Sequence, residues 1–194
     1  DSVMDELIIF ERALTETEVA AVYGKLSGAT EEQELAIGRM SEAPTIDAKW
    51  APQEWAEAAA VVGLHDTVTG QVMPHPTVFL VGYDDENLYL ATHWAVPPEV
   101  ADSPVRYSKG PVVAEAAERG GAIKDDDSVR WILQSIEDGT RYDLGCNPRG
   151  VRCDARQGDR SWDPHWRCES AYDEKEWVVE AAVPWSALGG APQD

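Results

Sequence analysis

From residue 128 onward the chain is cut into short strand-like segments, 128–133, 141–146, 151–155, 167–172 and 177–183, separated by the turn signals Asp138-Gly139, Asn147-Pro148-Arg149-Gly150, Asp163-Pro164 and Asp173-Glu174. None of these segments is long enough for a stable helix, and each is bounded by residues that bend the chain. In the first, Val129, Trp131 and Leu133 fall on one side of an extended strand and Ser128, Arg130, Ile132 and Gln134 on the other. Upstream, 78–81 and 88–94 form a further pair of strand signals around Asp84-Asp85-Glu86-Asn87, whose side chains can cap a bend. This cadence predicts an all-β fold, an antiparallel β-sandwich with short helices. One such helix is expected over 52–60, where Trp55 and Ala59 share a face. Pro97, Pro98 and Pro104 then open a long loop to about Gly121.

With 194 residues the chain has material for one well-buried domain and some extra. Hydrophobic residues at 43% and charged residues at 27% fit a globular protein and exclude wholesale disorder. No apolar run approaches the roughly 18 residues a membrane span requires, so no membrane insertion is expected. The net charge of −20 argues against nucleic acid, whose phosphates need Lys and Arg to displace counterions. Most of the carboxylates are read as solvated, although some could hold Ca²⁺ through its oxygen-rich ligand shell. The clusters Asp84-Asp85-Glu86 and Asp125-Asp126-Asp127 lack the spacing of an EF-hand loop. Cys146, Cys153 and Cys168 are too few for a disulfide framework, and one pair can bridge while the third stays free.

Catalytic patterns are missing: there is no Gly-x-Ser-x-Gly, His-Glu-x-x-His or phosphate-loop motif, and no enzyme is expected. Eight tryptophans against two phenylalanines invite a different reading, because an indole face packs on the C–H face of a pyranose. Trp55, Trp131, Trp177 and Trp185 are assigned to the core by their positions. Trp162 and Trp166, in the polar stretch 159–166, and Trp94, at a strand end, are the candidate sugar-stacking rings, with Trp166 leaning towards a structural role. Arg130 points away from the core face and could form paired hydrogen bonds to a uronate or sulfate; the plainer reading is a solvated arginine offsetting the neighbouring aspartates.

Through Pro44-Thr45-Ile46-Asp47-Ala48, Glu54-Trp55, Tyr83 to Ala91 and Asp127-Ser128-Val129, taken in that order, residues 43–194 resemble a carbohydrate-binding family 9-like domain. Pro44-Thr45-Ile46-Asp47-Ala48 ahead of Glu54-Trp55-Ala56-Glu57-Ala58 is similar to the family's opening Pro-x-Ile-Asp-Gly and Glu-Trp-x-x-Ala. Tyr83 to Ala91, Asp127-Ser128-Val129, Asn147-Pro148-Arg149-Gly150 and 177–185 follow in the family's order. Residues 1–24 resemble the last strand and helix of a laminin G-like lectin domain, with Thr15 and Glu18 as a capping box; residues 25–42 are then a linker.

The resemblance implies a non-catalytic glycan-binding module of a larger secreted protein, located extracellularly, at the cell surface or in the periplasm, and truncated at its C-terminus. It also implies a calcium site, for which Asp84, Asp85 and Asp127 are the candidate ligands. The chain departs from the sugar-binding pattern where a Trp and a Glu flank the Asp-Ser-Val: Lys124 and Arg130 stand there. Lys124 and Arg130 together would favour an acidic glycan. Two rival readings are a sandwich serving as spacer or protein-interaction module, and a haem-binding redox sandwich using Met73 and His93.

Overall fold

The computed structural model describes residues 35–62, 77–95, 113–119, 123–173 and 175–191. Two β-sheets carry them. The larger contains β1 (Gly38–Arg39), β2 (Ala59–Val61), β3 (Thr77–Tyr83), β4 (Asn87–Ala95), β8 (Arg167–Tyr172) and β9 (Glu176–Pro184); the smaller contains β5 (Val129–Gln134), β6 (Arg141–Cys146) and β7 (Arg152–Arg156). In the larger sheet β1 and β2 share one edge of β3, and the order continues through β4 and β9 to β8; in the smaller it is β5-β6-β7. Pairing is antiparallel except between β1 and β3. The fold is a β-sandwich, as the turn cadence predicts.

Alternation decides what each strand contributes. Leu88 and Leu90 of β4 and Val179, Ala181 and Val183 of β9 face the smaller sheet, where they meet Val129, Trp131, Leu144 and Cys146. The intervening Tyr89, Ala91 and Ala182 face the other way and are covered by Met40, Ile46 and Trp55. Central strands covered on both sides read as continuous apolar runs, which is why 178–183 is buried throughout.

Glu180 is the exception within that run. It is 0% exposed and takes its hydrogen bonds from the covering segment: the backbone N–H groups of Asp47 (3.0 Å) and Ala48 (2.8 Å) donate to Oε2, and Trp55 Nε1 donates to Oε1 at 3.3 Å. Burial pushes the Glu180 carboxyl upward from its usual range, while these donors pull it down. Ala48 adopts φ 56° there, in the left-handed region that disfavours a side chain with a Cβ. The glycine of the resembled pattern falls on this position.

Three expectations change. The helix over 52–60 is only a 3₁₀ turn at Pro52–Trp55; the free edge of β3 draws 59–61 into β2, in register with 79–81. Ala59 therefore lies on a strand rather than on a helix face with Trp55. Residues 35–42, read as part of a linker, supply β1 and the buried Met40. Residues 1–24, Met73, Pro97, Pro98 and Pro104 lie outside the described residues.

Candidate functional site

The smaller sheet has one face on the core and one turned outward. On the outward face, Arg130 of β5 reaches diagonally across to Asp143 of β6: Nε donates to Oδ1 at 3.2 Å and a terminal guanidinium nitrogen donates to Oδ2. Beside this fork is Gly145, in register with Arg130 and Cys153. A Cβ at Gly145 would lie 2.7 Å from Cys153 Sγ and 3.3 Å from Arg130 Cγ, so bare backbone is required there. Ile132, 54% exposed, continues the face. The result is an open surface with a donor fork, a carboxylate acceptor and an apolar side chain close together.

The turns that end these strands are pinned from below. Asn147 is 0% exposed; its Oδ1 accepts from the N–H groups of Arg149 (3.0 Å) and Val151 (2.9 Å), and its Nδ2 donates to Ala116 O (3.0 Å) and Asp126 Oδ2 (2.8 Å). The Asp126 carboxylate also accepts from Glu115 N and Ala116 N, and Asp127 Oδ2 accepts from Val113 N at 2.8 Å. The hydrogen bond from Asn147, ahead of those backbone donors, holds the Asp126 carboxyl below its ordinary range. Asp126 and Asp127 thus bind segment 113–116 to the sheet.

A second polar cluster closes the β7 edge. Asp154 faces inward, accepts from Trp166 Nε1 at 2.9 Å and pairs with Arg119. Arg119 also donates to Trp162 O at 2.9 Å and pairs with Asp163 at 3.0 Å. Arg152 lies over the Trp166 ring, 5.6 Å from its centroid, and donates to Trp166 O.

The candidate residues do not converge. Trp166 is 2% exposed and has no face for a sugar; its place in a polar stretch is explained by the Asp154 partner that its indole N–H acquires. Trp162 is half-buried against the inward-facing Tyr142, ring centroids 5.5 Å apart, and packs on the core cluster, so it and Arg130 are on opposite sides of the smaller sheet. Trp94 belongs to the larger sheet, in register with Trp177. Lys124 lies in the 3₁₀ turn Ile123–Asp125, and its side chain is outside the described residues.

Each of the three carboxylates expected to bind calcium has a partner within the fold. Asp84 accepts from the N–H groups of Glu86 and Asn87 and from the Tyr89 hydroxyl, Asp85 pairs with Arg39 at 2.6 Å, and Asp127 holds Val113. Among the described residues no group of three or more His, Cys, Asp and Glu side chains is placed to hold a metal ion. His93, the haem candidate, stacks on Trp50 at 4.2 Å and meets Glu176 at 2.9 Å through Nε2.

No protein-family model matches this chain, and no curated protein matches it. Among solved structures it is similar to a candidate carbohydrate-binding protein from Bacteroides uniformis, with TM-score 0.53 and 14% identity over 82% of this chain and 76% of that one. Two structures of a family 9 carbohydrate-binding module from Caldicellulosiruptor kristjanssonii also align. The glucose complex gives TM-score 0.48 and 16% identity over 80% of this chain and 71% of that one; the cellotriose complex gives 0.47 and 14% over 76% and 65%. The likeness is one of fold.

Sequence reasoning missed Asp143, Asn147, Asp154 and Glu180. For Glu180 a signal was present: a carboxylate inside an apolar run must find donors if that run is buried. Asp143 carried a weaker one, being two residues from Gly145 on the same strand face as a cation across the hairpin. Nothing local distinguishes Asp154, whose partners are Arg119 and Trp166.

Proposed function

We propose that this chain is a non-catalytic glycan-binding module, exported from the cell, that takes a neutral sugar on the outward face of β5-β6-β7. The observation that carries this reading is the Arg130–Asp143 fork beside the bare backbone of Gly145. A vicinal diol can accept hydrogen bonds from the guanidinium and donate to the carboxylate, while Ile132 offers apolar contact. Asp143 offsets the charge of Arg130, and a net charge of −20 repels polyanions at long range. Both favour a neutral glycan over the acidic one that Arg130 and Lys124 suggest by themselves.

Affinity electrophoresis of the full chain in gels containing xylan, hydroxyethylcellulose, pectin or a sulfated algal polysaccharide tests the proposal. Retardation by a neutral polymer, persisting in 0.3 M salt and lost in both Arg130→Ala and Asp143→Ala, is the expected result. Retardation by none of the neutral polymers overturns it. One observation favours the spacer or protein-interaction reading: all eight tryptophans are among the described residues and none is exposed. That reading gains if every gel is negative.

A further inference from the structure

We infer that Cys146 and Cys168 close a disulfide between the two sheets when the protein folds in an oxidising compartment, leaving Cys153 as the free thiol. This inference stands apart from the glycan reading.

Strand pairing links β5, β6 and β7 to one another and the remaining strands to one another, but among the described residues no ladder joins the sheets. They are held together by side-chain packing. Cys146, the last residue of β6, and Cys168, the second of β8, come from opposite sheets and enter the same apolar cluster. Cys146 is 0% exposed, Cys168 lies in register with the fully buried Ala181, and Cys168 packs against the cluster that holds Cys146. Cys153 is excluded by alternation. It is in register with Gly145 rather than Cys146, and its sulfur lies over the outward side of Gly145, so the β6–β7 sheet separates it from the Cys146–Cys168 contact.

The chemistry sets when the bond can form. The Cys146 thiol beside it, with burial, raises Cys168 far above the ordinary thiol range, and the thiolate is the attacking species. Closure therefore belongs to folding, while the sulfurs are still open to solvent. One thiolate attacks a glutathione disulfide and expels glutathione; the second thiolate attacks the resulting mixed disulfide and expels another. The two protein thiol protons pass to the two expelled glutathione thiolates, the protein sulfurs lose two electrons, and the glutathione disulfide is thereby reduced to two thiols.

The full chain, refolded with reduced and oxidised glutathione, is denatured under non-reducing conditions, alkylated and cut with trypsin. The cysteines fall on separate peptides, 142–149, 153–156 and 168–175. The expected product joins 142–149 to 168–175 with a mass about 2 Da below the sum of its parts, and 153–156 carries the alkyl group. Oxidised protein should melt about 10 °C above the reduced form, given a closed loop of about 20 residues, and Cys153→Ser should preserve that gain. Three alkylated cysteines, a linked peptide containing Cys153, or a linked protein that melts below the reduced form would each overturn the inference. Mapping the unmutated chain keeps the test valid even where Cys146→Ser fails to fold.

Discussion

The two sheets are covered differently. The central strands of the larger are buried on both faces, by the smaller sheet on one and by segment 40–55 on the other; among the described residues the smaller is buried on one face only. A carboxylate on the covered face of the first, Glu180, is committed to holding the fold together. A carboxylate on the open face of the second, Asp143, is paired with an arginine that solvent or a ligand can reach. The same chemical group is structural in one sheet and available in the other because of what lies above it.

Substitutions can break or sharpen that contrast. Glu180→Ala should be the most damaging, about 3–5 kcal/mol in urea unfolding, because it leaves the N–H groups of Asp47 and Ala48 and the Trp55 indole without an acceptor inside the fold. Trp162→Ala should cost about 2–3 kcal/mol, less than loss of a fully buried ring, since the residue is half-buried against Tyr142. A loss under about 0.5 kcal/mol would free Trp162 for a binding role.

Tyr89 reports on the covered face through pH. Burial, followed by its hydrogen bond to Asp84, pushes its hydroxyl up to about 12 from 10.0. A group raised on folding contributes stability that is complete below its unfolded value and is lost as pH climbs through the folded one. Tyr89→Phe should therefore be about 1–2 kcal/mol less stable than the unmutated chain at pH 8, with the gap closing between pH 10 and 12. A gap constant across that range would refute the Tyr89–Asp84 bond.

Ala48→Gly should stabilise by about 0.5–1 kcal/mol by relieving the left-handed backbone, seen as a higher urea midpoint. Arg130→Ala, on the open face, should change stability by no more than about 0.5 kcal/mol, since its ion pair is solvent-exposed. A larger loss would place Arg130 with Glu180 among the groups that hold the fold.

Most of the strands were legible in the sequence because period-two alternation and turn residues are local signals. The segments at 141–146 and 167–172 match β6 and β8, and Asp84 caps its bend as its side chain allows. The strands that were missed, β1 and β2, owe their existence to the open edge of β3; a two- or three-residue strand has too few positions to show a period. The candidate site was legible only in part. Alternation correctly turned Arg130 outward. The Asp143 partner, the seclusion of Trp166 and the separation of Trp162 from Arg130 depend on which strands pair, which a single segment cannot announce.

Glu180 also has a consequence for the order of events during synthesis. The N–H groups it binds belong to residues 133 and 132 positions earlier in the chain. The ribosome therefore delivers Met40, Ile46 and Trp55 long before the strand that completes their seat exists. Contacts of such separation carry a large loop-closure cost and form late. Until β9 emerges, the apolar side chains of that early segment have no finished surface to settle on, and the nascent chain is open to capture by a chaperone or a neighbouring copy during that interval.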